Sequence, residues 1–90
     1  MAKATLTRPP SFVTALKSAL RRNMPKSEVT SEHVRGRRYR FVVIWDGFTG
    51  VGHPERQRRV WKVAEAVVPR EDLFDVGMIL TIAPEELPQA

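Results

Sequence analysis

Tyr39-Arg40-Phe41-Val42-Val43-Ile44-Trp45-Asp46-Gly47-Phe48-Thr49-Gly50 is the stretch that decides the fold. Tyr39, Phe41, Val43 and Trp45 fall on one side of an extended chain, and Arg40, Val42, Ile44 and Asp46 on the other. Apolar residues on both sides of the middle predict an inner strand over 39–46, covered or paired on each flank. Gly47, Gly50 and Gly52 then predict a tight strand-to-helix turn, with Phe48 as its apolar anchor. Trp45 and Phe48 read as packing residues.

Upstream, Arg35-Gly36-Arg37-Arg38 supplies a hairpin turn, and 28–34 alternates loosely, as a half-exposed edge strand does. Phe12, Leu16, Ala19 and Leu20 form one helical stripe. Ser11 is the expected N-cap, and Met24-Pro25 the stop. Downstream, Pro54 and Glu55 suit the first turn of a second helix. Its apolar face is Val60, Ala64, Val67 and Val68. Arg58, Arg59, Lys62 and Glu65 occupy the other face, and Arg56 lies near the apolar margin, with room to snorkel. Pro69 ends the helix. A short turn over 70–74 leads to a third strand over 76–82, with Val76, Met78, Leu80 and Ile82 expected on one face. The run 83–87 reads as a last helical turn. The prediction is a single α/β (α+β) domain over 11–88 behind a flexible arm over 1–10. Its order is α-β-β-α-β, with three strands and helices on one face.

Ninety residues hold one core, and 42% hydrophobic with 28% charged residues is a globular composition. No cysteine is present, which excludes disulfides, thiolate ligands and a cysteine nucleophile. Residues 1–10 carry no long apolar run, and the longest such run, 41–45, is too short for a bilayer. The expected location is the cytoplasm, without membrane contact. The net charge of +5 is unevenly placed: residues 1–62 hold 14 basic and 4 acidic side chains, residues 63–90 one basic and six acidic. Such asymmetry offers a basic surface to phosphates or acidic proteins.

An enzyme is not expected. His33 and His53 are the only histidines, the serines lack a nucleophile-elbow context, and the carboxylate pairs Glu71-Asp72 and Glu85-Glu86 read as solvated. The glycine turn ends in Gly52-His53-Pro54, so it is no Walker A loop, although its backbone N–H groups can still face a phosphate. The candidate nucleic-acid contacts are Gly50 and Gly52 in this turn, Arg56, Arg58, Arg59 and Lys62 on the helix, and Arg37 and Arg38 at the hairpin. Arginine forks suit phosphate oxygens.

From about Val34 onward the chain resembles the BolA family. The residues that carry this are 39–50, with an Asp-x-Phe-x-Gly turn at 46–50. Arg56-Gln57-Arg58-Arg59-Val60 stands where the family has an Arg-His-Arg stretch, and 76–87 resembles its last strand and Pro-x-Glu-like tail. The resemblance implies a fold similar to a class II KH domain, no enzymatic activity, and one of two roles. One is DNA binding in transcription regulation under stress. The other is pairing with a monothiol glutaredoxin around a shared [2Fe–2S] cluster. Gly77 stands at the family's C-terminal histidine, and Gln57 replaces the histidine of Arg-His-Arg. His33 is the one remaining candidate metal ligand, too few for the protein's share of a cluster. The sequence therefore favours nucleic-acid binding without a cofactor, and the glutaredoxin adaptor is the alternative.

Overall fold

The computed structural model describes residues 9–88. Apart from Pro9 and Pro10, the arm expected over 1–10 lies outside them. The order is α1 (Ser11–Asn23), β1 (Glu28–Arg35), β2 (Arg38–Ile44), α2 (His53–Val67) and β3 (Val76–Ile82). Short 3-10 turns span Asp46–Phe48, Arg70–Asp75 and Pro84–Glu86.

β2 is the middle strand, as its two apolar faces require. It pairs antiparallel with β1, Ser31 opposite Phe41 and His33 opposite Tyr39. It pairs parallel with β3, Val42 opposite Leu80 and Ile44 opposite Ile82. Parallel neighbours need a crossover, which α2 supplies. Phe41 and Val43 are fully buried beneath the helices. α1 packs on α2 and β1, and α2 packs on β3. Both helices thus cover one face, while Met78 and Leu80 remain exposed on the other.

α1 buries Phe12, Val13, Leu16, Ala19 and Leu20, the expected stripe plus one neighbour. Ser11 is not its cap. Pro10 takes the cap position, its carbonyl accepts from Val13 N–H, and no side chain caps the first turn. A proline with ψ near 151° already directs the chain into the helix, so Ser11 becomes the first helical residue. β1 buries only Val29, as an edge strand should.

The expected face of β3 needs correction. Val76 points inward, but the next inward residues are Ile79 and Thr81, not Met78, Leu80 and Ile82. The pairing slips between Tyr39–Val76 and Arg40–Met78, leaving Gly77 as an extra residue. One inserted residue reverses the in-out parity of all that follows.

The turn after β2 plugs the core. Phe48 is fully buried, and the Trp45 ring stands perpendicular to it with ring centres 5.2 Å apart. Gly47 is tightly packed: a Cβ there would lie 2.5 Å from the Trp45 ring and push it aside. Gly50 has φ +79°, a conformation that side chains rarely adopt. No described helix is long and apolar enough to cross a membrane.

Candidate nucleic-acid interface

α2 starts at His53, with Gly52 in the cap position and Pro54 in its first turn, and no side chain caps it. The helix opening therefore keeps backbone donors unclaimed by caps, at the positive end of its dipole. Glu55 lies beside this opening and holds two of the candidate cations. Arg58 donates to one of its carboxylate oxygens at 2.5 Å and Arg59 to the other at 3.2 Å. These are exposed pairs one helical turn apart, weak and readily exchanged for another anion. Arg58 is the most solvent-exposed of these ion-paired side chains, at 74%. Lys62 is exposed and forms no ion pair among the described residues. Arg58, Arg59 and Lys62 thus line the water-facing side of α2, as expected.

Arg56 does not join them. It is 3% exposed. Its guanidinium donates two bonds of 2.8 Å to the Glu86 carboxylate, one of 2.7 Å to the Val51 carbonyl and one of 3.2 Å to the Thr81 carbonyl. It also sits 5.5 Å from the Phe48 ring centre. Glu86 in turn accepts from Ala83 N–H at 2.9 Å. The Arg56 bonds, followed by the Ala83 bond, hold the Glu86 carboxyl down at about 2. The same pairing raises Arg56 above its ordinary value. Arg56 is a clasp between the glycine turn, β3 and the C-terminal turn, not a phosphate contact. Position 56 lies on the same helix face as Val60, and that face is inward.

Arg37 and Arg38 are also placed apart from α2. The hairpin precedes β2 and the glycine turn follows it. Seven extended residues separate the two, roughly 20 Å. Arg37 is further committed, to Asp72 at 3.1 Å and Asp75 at 3.4 Å, with its guanidinium 5.8 Å from the Phe12 ring centre. Arg38 is exposed and lines a shallow groove with Met78 and Gly77 at that far end. The hairpin arginines and the helix cations therefore do not form one patch.

His33 stands at the hairpin end too, its Nε2 donating to the Gly36 carbonyl at 2.6 Å and its ring 5.2 Å from Tyr39. Tyr39 pairs with His33 on one side and with Val76, next to Gly77, on the other. The two positions that the sequence resemblance matched to cluster ligands, 33 and 77, thus share one end of the sheet, but Gly77 brings no donor atom. Gln57 is used internally, donating to the Ile79 carbonyl at 2.9 Å and accepting from the Trp61 indole at 3.1 Å. His53 opens α2, at the opposite end of β2. Among the described residues no three His, Cys, Asp or Glu side chains cluster to hold a metal. One imidazole does not fit a protein's share of a [2Fe–2S] cluster.

Trp45, expected in packing alone, also lines an open groove with Arg59 and Lys62. The signal for this in the sequence is its position at the strand's exit, where an alternating pattern ends and cover is incomplete.

No protein-family model and no curated protein matches the chain. Among solved structures, a bol-like protein from Babesia bovis matches with a TM-score of 0.53 at 17% identity, covering 93% of each chain. At that identity the likeness is one of fold, and it extends along nearly the whole chain. The described residues therefore carry a BolA-like α/β fold.

Proposed function

We propose that this chain is a non-enzymatic regulatory protein that binds nucleic acid through the outer face of α2. The observation that carries this reading is the row of Arg58, Arg59 and Lys62 on an exposed helix face, immediately after an uncapped helix opening. Exposed cations and backbone donors at a helix start both suit phosphate oxygens. Glu55 tempers the row, and a phosphate can displace it from Arg58 and Arg59. The Arg56 clasp supports the reading indirectly, because it fixes the start of α2 to β3 and the C-terminal turn. A rigid helix presents its cations at less entropic cost than a loop.

Catalysis is not part of this role. His33 and His53 stand at opposite ends of β2 and cannot act as a pair. Nor is a shared iron–sulfur cluster, since the donors present do not fit one. The test is fluorescence anisotropy of labelled oligonucleotides at low salt. Binding that weakens in Lys62→Ala and in the Arg58→Ala/Arg59→Ala pair supports the proposal. Binding untouched by both removes α2 from the interface.

A further inference from the structure

The end of α1, Trp45 and the C-terminal half of α2 enclose a groove of about 460 Å³. Met24, Trp45 and Val63 form apolar wall, and Arg59, Lys62 and Asn23 stand at it with polar ends. Both cations, Arg59 and Lys62, belong to the α2 face described above, so groove and face are continuous.

Trp45 is held ready. Its indole N–H donates to the Pro25 carbonyl at 2.9 Å, its ring packs against Gly47, and the Phe48 ring stands perpendicular to it. With its one donor already used, the indole has only π surface to offer a ligand. A pre-fixed aromatic gives up little conformational entropy on binding. The Asn23 carboxamide donates to the Ala19 carbonyl at 2.8 Å and keeps its oxygen uncommitted among the described residues. It provides an acceptor at the rim, beside the two cations and the apolar wall. Arg59 and Lys62 are three residues apart, hence neighbours on the helix surface about 5–6 Å apart at Cβ. That is the scale of consecutive phosphates on one strand.

We infer that the groove seats one unpaired nucleobase against Trp45, with the flanking phosphates on Arg59 and Lys62, so that α2 reads single-stranded nucleic acid. This rests on the nucleic-acid reading above and adds a substrate class to it. A duplex keeps its bases stacked and paired and reaches the cations but not the slot. Stacking of this kind accepts any base, because every base has a π face. An acidic peptide would also satisfy the two cations and the apolar wall. It has less use for a flat indole beside a free carboxamide, or for cations repeating along α2 as far as Arg58.

Four probes of equal length test this by anisotropy at one salt concentration: oligothymidylate, oligodeoxyadenylate, a duplex, and a base-free sugar-phosphate oligomer. Trp61→Phe leaves Trp45 as the sole tryptophan, so its fluorescence reports the groove directly. Both single strands should bind about ten-fold tighter than the duplex or the base-free oligomer. They alone should quench Trp45. Ala66, exposed on α2 at the groove, gives a blocking variant that leaves the core intact. In Ala66→Phe, with an unchanged melting temperature, the ratio of single-strand to duplex affinity should fall to about one. Equal binding of strand and duplex without quenching overturns the inference and leaves the α2 face standing. No binding of any probe overturns both. Quenching by an acidic peptide bearing an aromatic residue, but not by the strands, overturns it in favour of a protein partner.

Discussion

Arg56 and Glu86 join the second helix to the C-terminal turn through two parallel bonds of 2.8 Å, with the guanidinium buried and the carboxylate at the rim. A fork of this geometry aligns as well as attracts. Removing one partner strands the other's unused donors or acceptors. Arg56→Ala should lower the melting temperature more than Arg58→Ala, Arg59→Ala or Lys62→Ala, each of which removes an exposed cation. Any nucleic-acid affinity that Arg56→Ala loses should return when binding is measured well below its melting temperature. Thermal denaturation of the four variants provides the comparison, and equal shifts would return Arg56 to the surface.

The same pair sets an acid limit. Glu86 is held at about 2, below its ordinary 4.5, by the Arg56 and Ala83 bonds. A carboxylate with a depressed folded-state pKa stabilises the fold fully above its unfolded value. That contribution is lost as pH falls toward the folded one. The melting temperature should therefore drop between about pH 4.5 and pH 2. In Glu86→Gln the drop over that window should be shallower. Calorimetry of both proteins across that range checks the sign.

Phe48→Ala should cost about 3 to 5 kcal/mol, since the ring is fully buried and central to the turn. At this chain length that is a melting-temperature loss of more than about 12 °C. Gly47→Ala should also destabilise, because its Cβ would meet the Trp45 ring. Urea titration of the two variants reads both effects.

These residues show what the sequence exposed and what it hid. The inner strand and the α2 apolar face follow from periodicity, and the Phe48 anchor from the glycines around it; both signals depend only on neighbours along the chain. The parity of β3 does not. Val76, Met78, Leu80 and Ile82 alternate, but Gly77 adds a residue against Tyr39 and Arg40, and that depends on another strand. Arg56 was hidden for a similar reason. Its margin position was legible, but its partner Glu86 lies thirty residues away, in a turn whose packing no local pattern records. The separation of Arg37 from α2 follows from topology, and its ties to Asp72 and Asp75 are likewise long-range. Arg37→Ala should leave nucleic-acid affinity unchanged within about two-fold, by anisotropy.

Gly77 and His33 give a clear expectation for iron–sulfur partnership. Mixed with a cluster-loaded monothiol glutaredoxin, the chain should not carry a [2Fe–2S] cluster through gel filtration. The surroundings of Gly77 are open: a Cβ added there would meet only the Tyr39 carbonyl, at 3.6 Å, so Gly77→His should fold normally. It is the variant in which cluster retention should appear. Visible absorption co-eluting with the wild-type complex would show that other donors suffice.

Whether Arg58, Arg59 and Lys62 meet phosphates is read from the salt dependence of binding. Three contacts to a duplex predict a slope of log affinity against log salt of about −2.7, at about 0.9 per contact. Replacing Arg58 and Arg59 by alanine should reduce its magnitude by about 1.8 and weaken two unrelated sequences alike, since phosphates carry no sequence information. A slope in the double variant equal to that of the wild type would show that Arg58 and Arg59 do not meet phosphates.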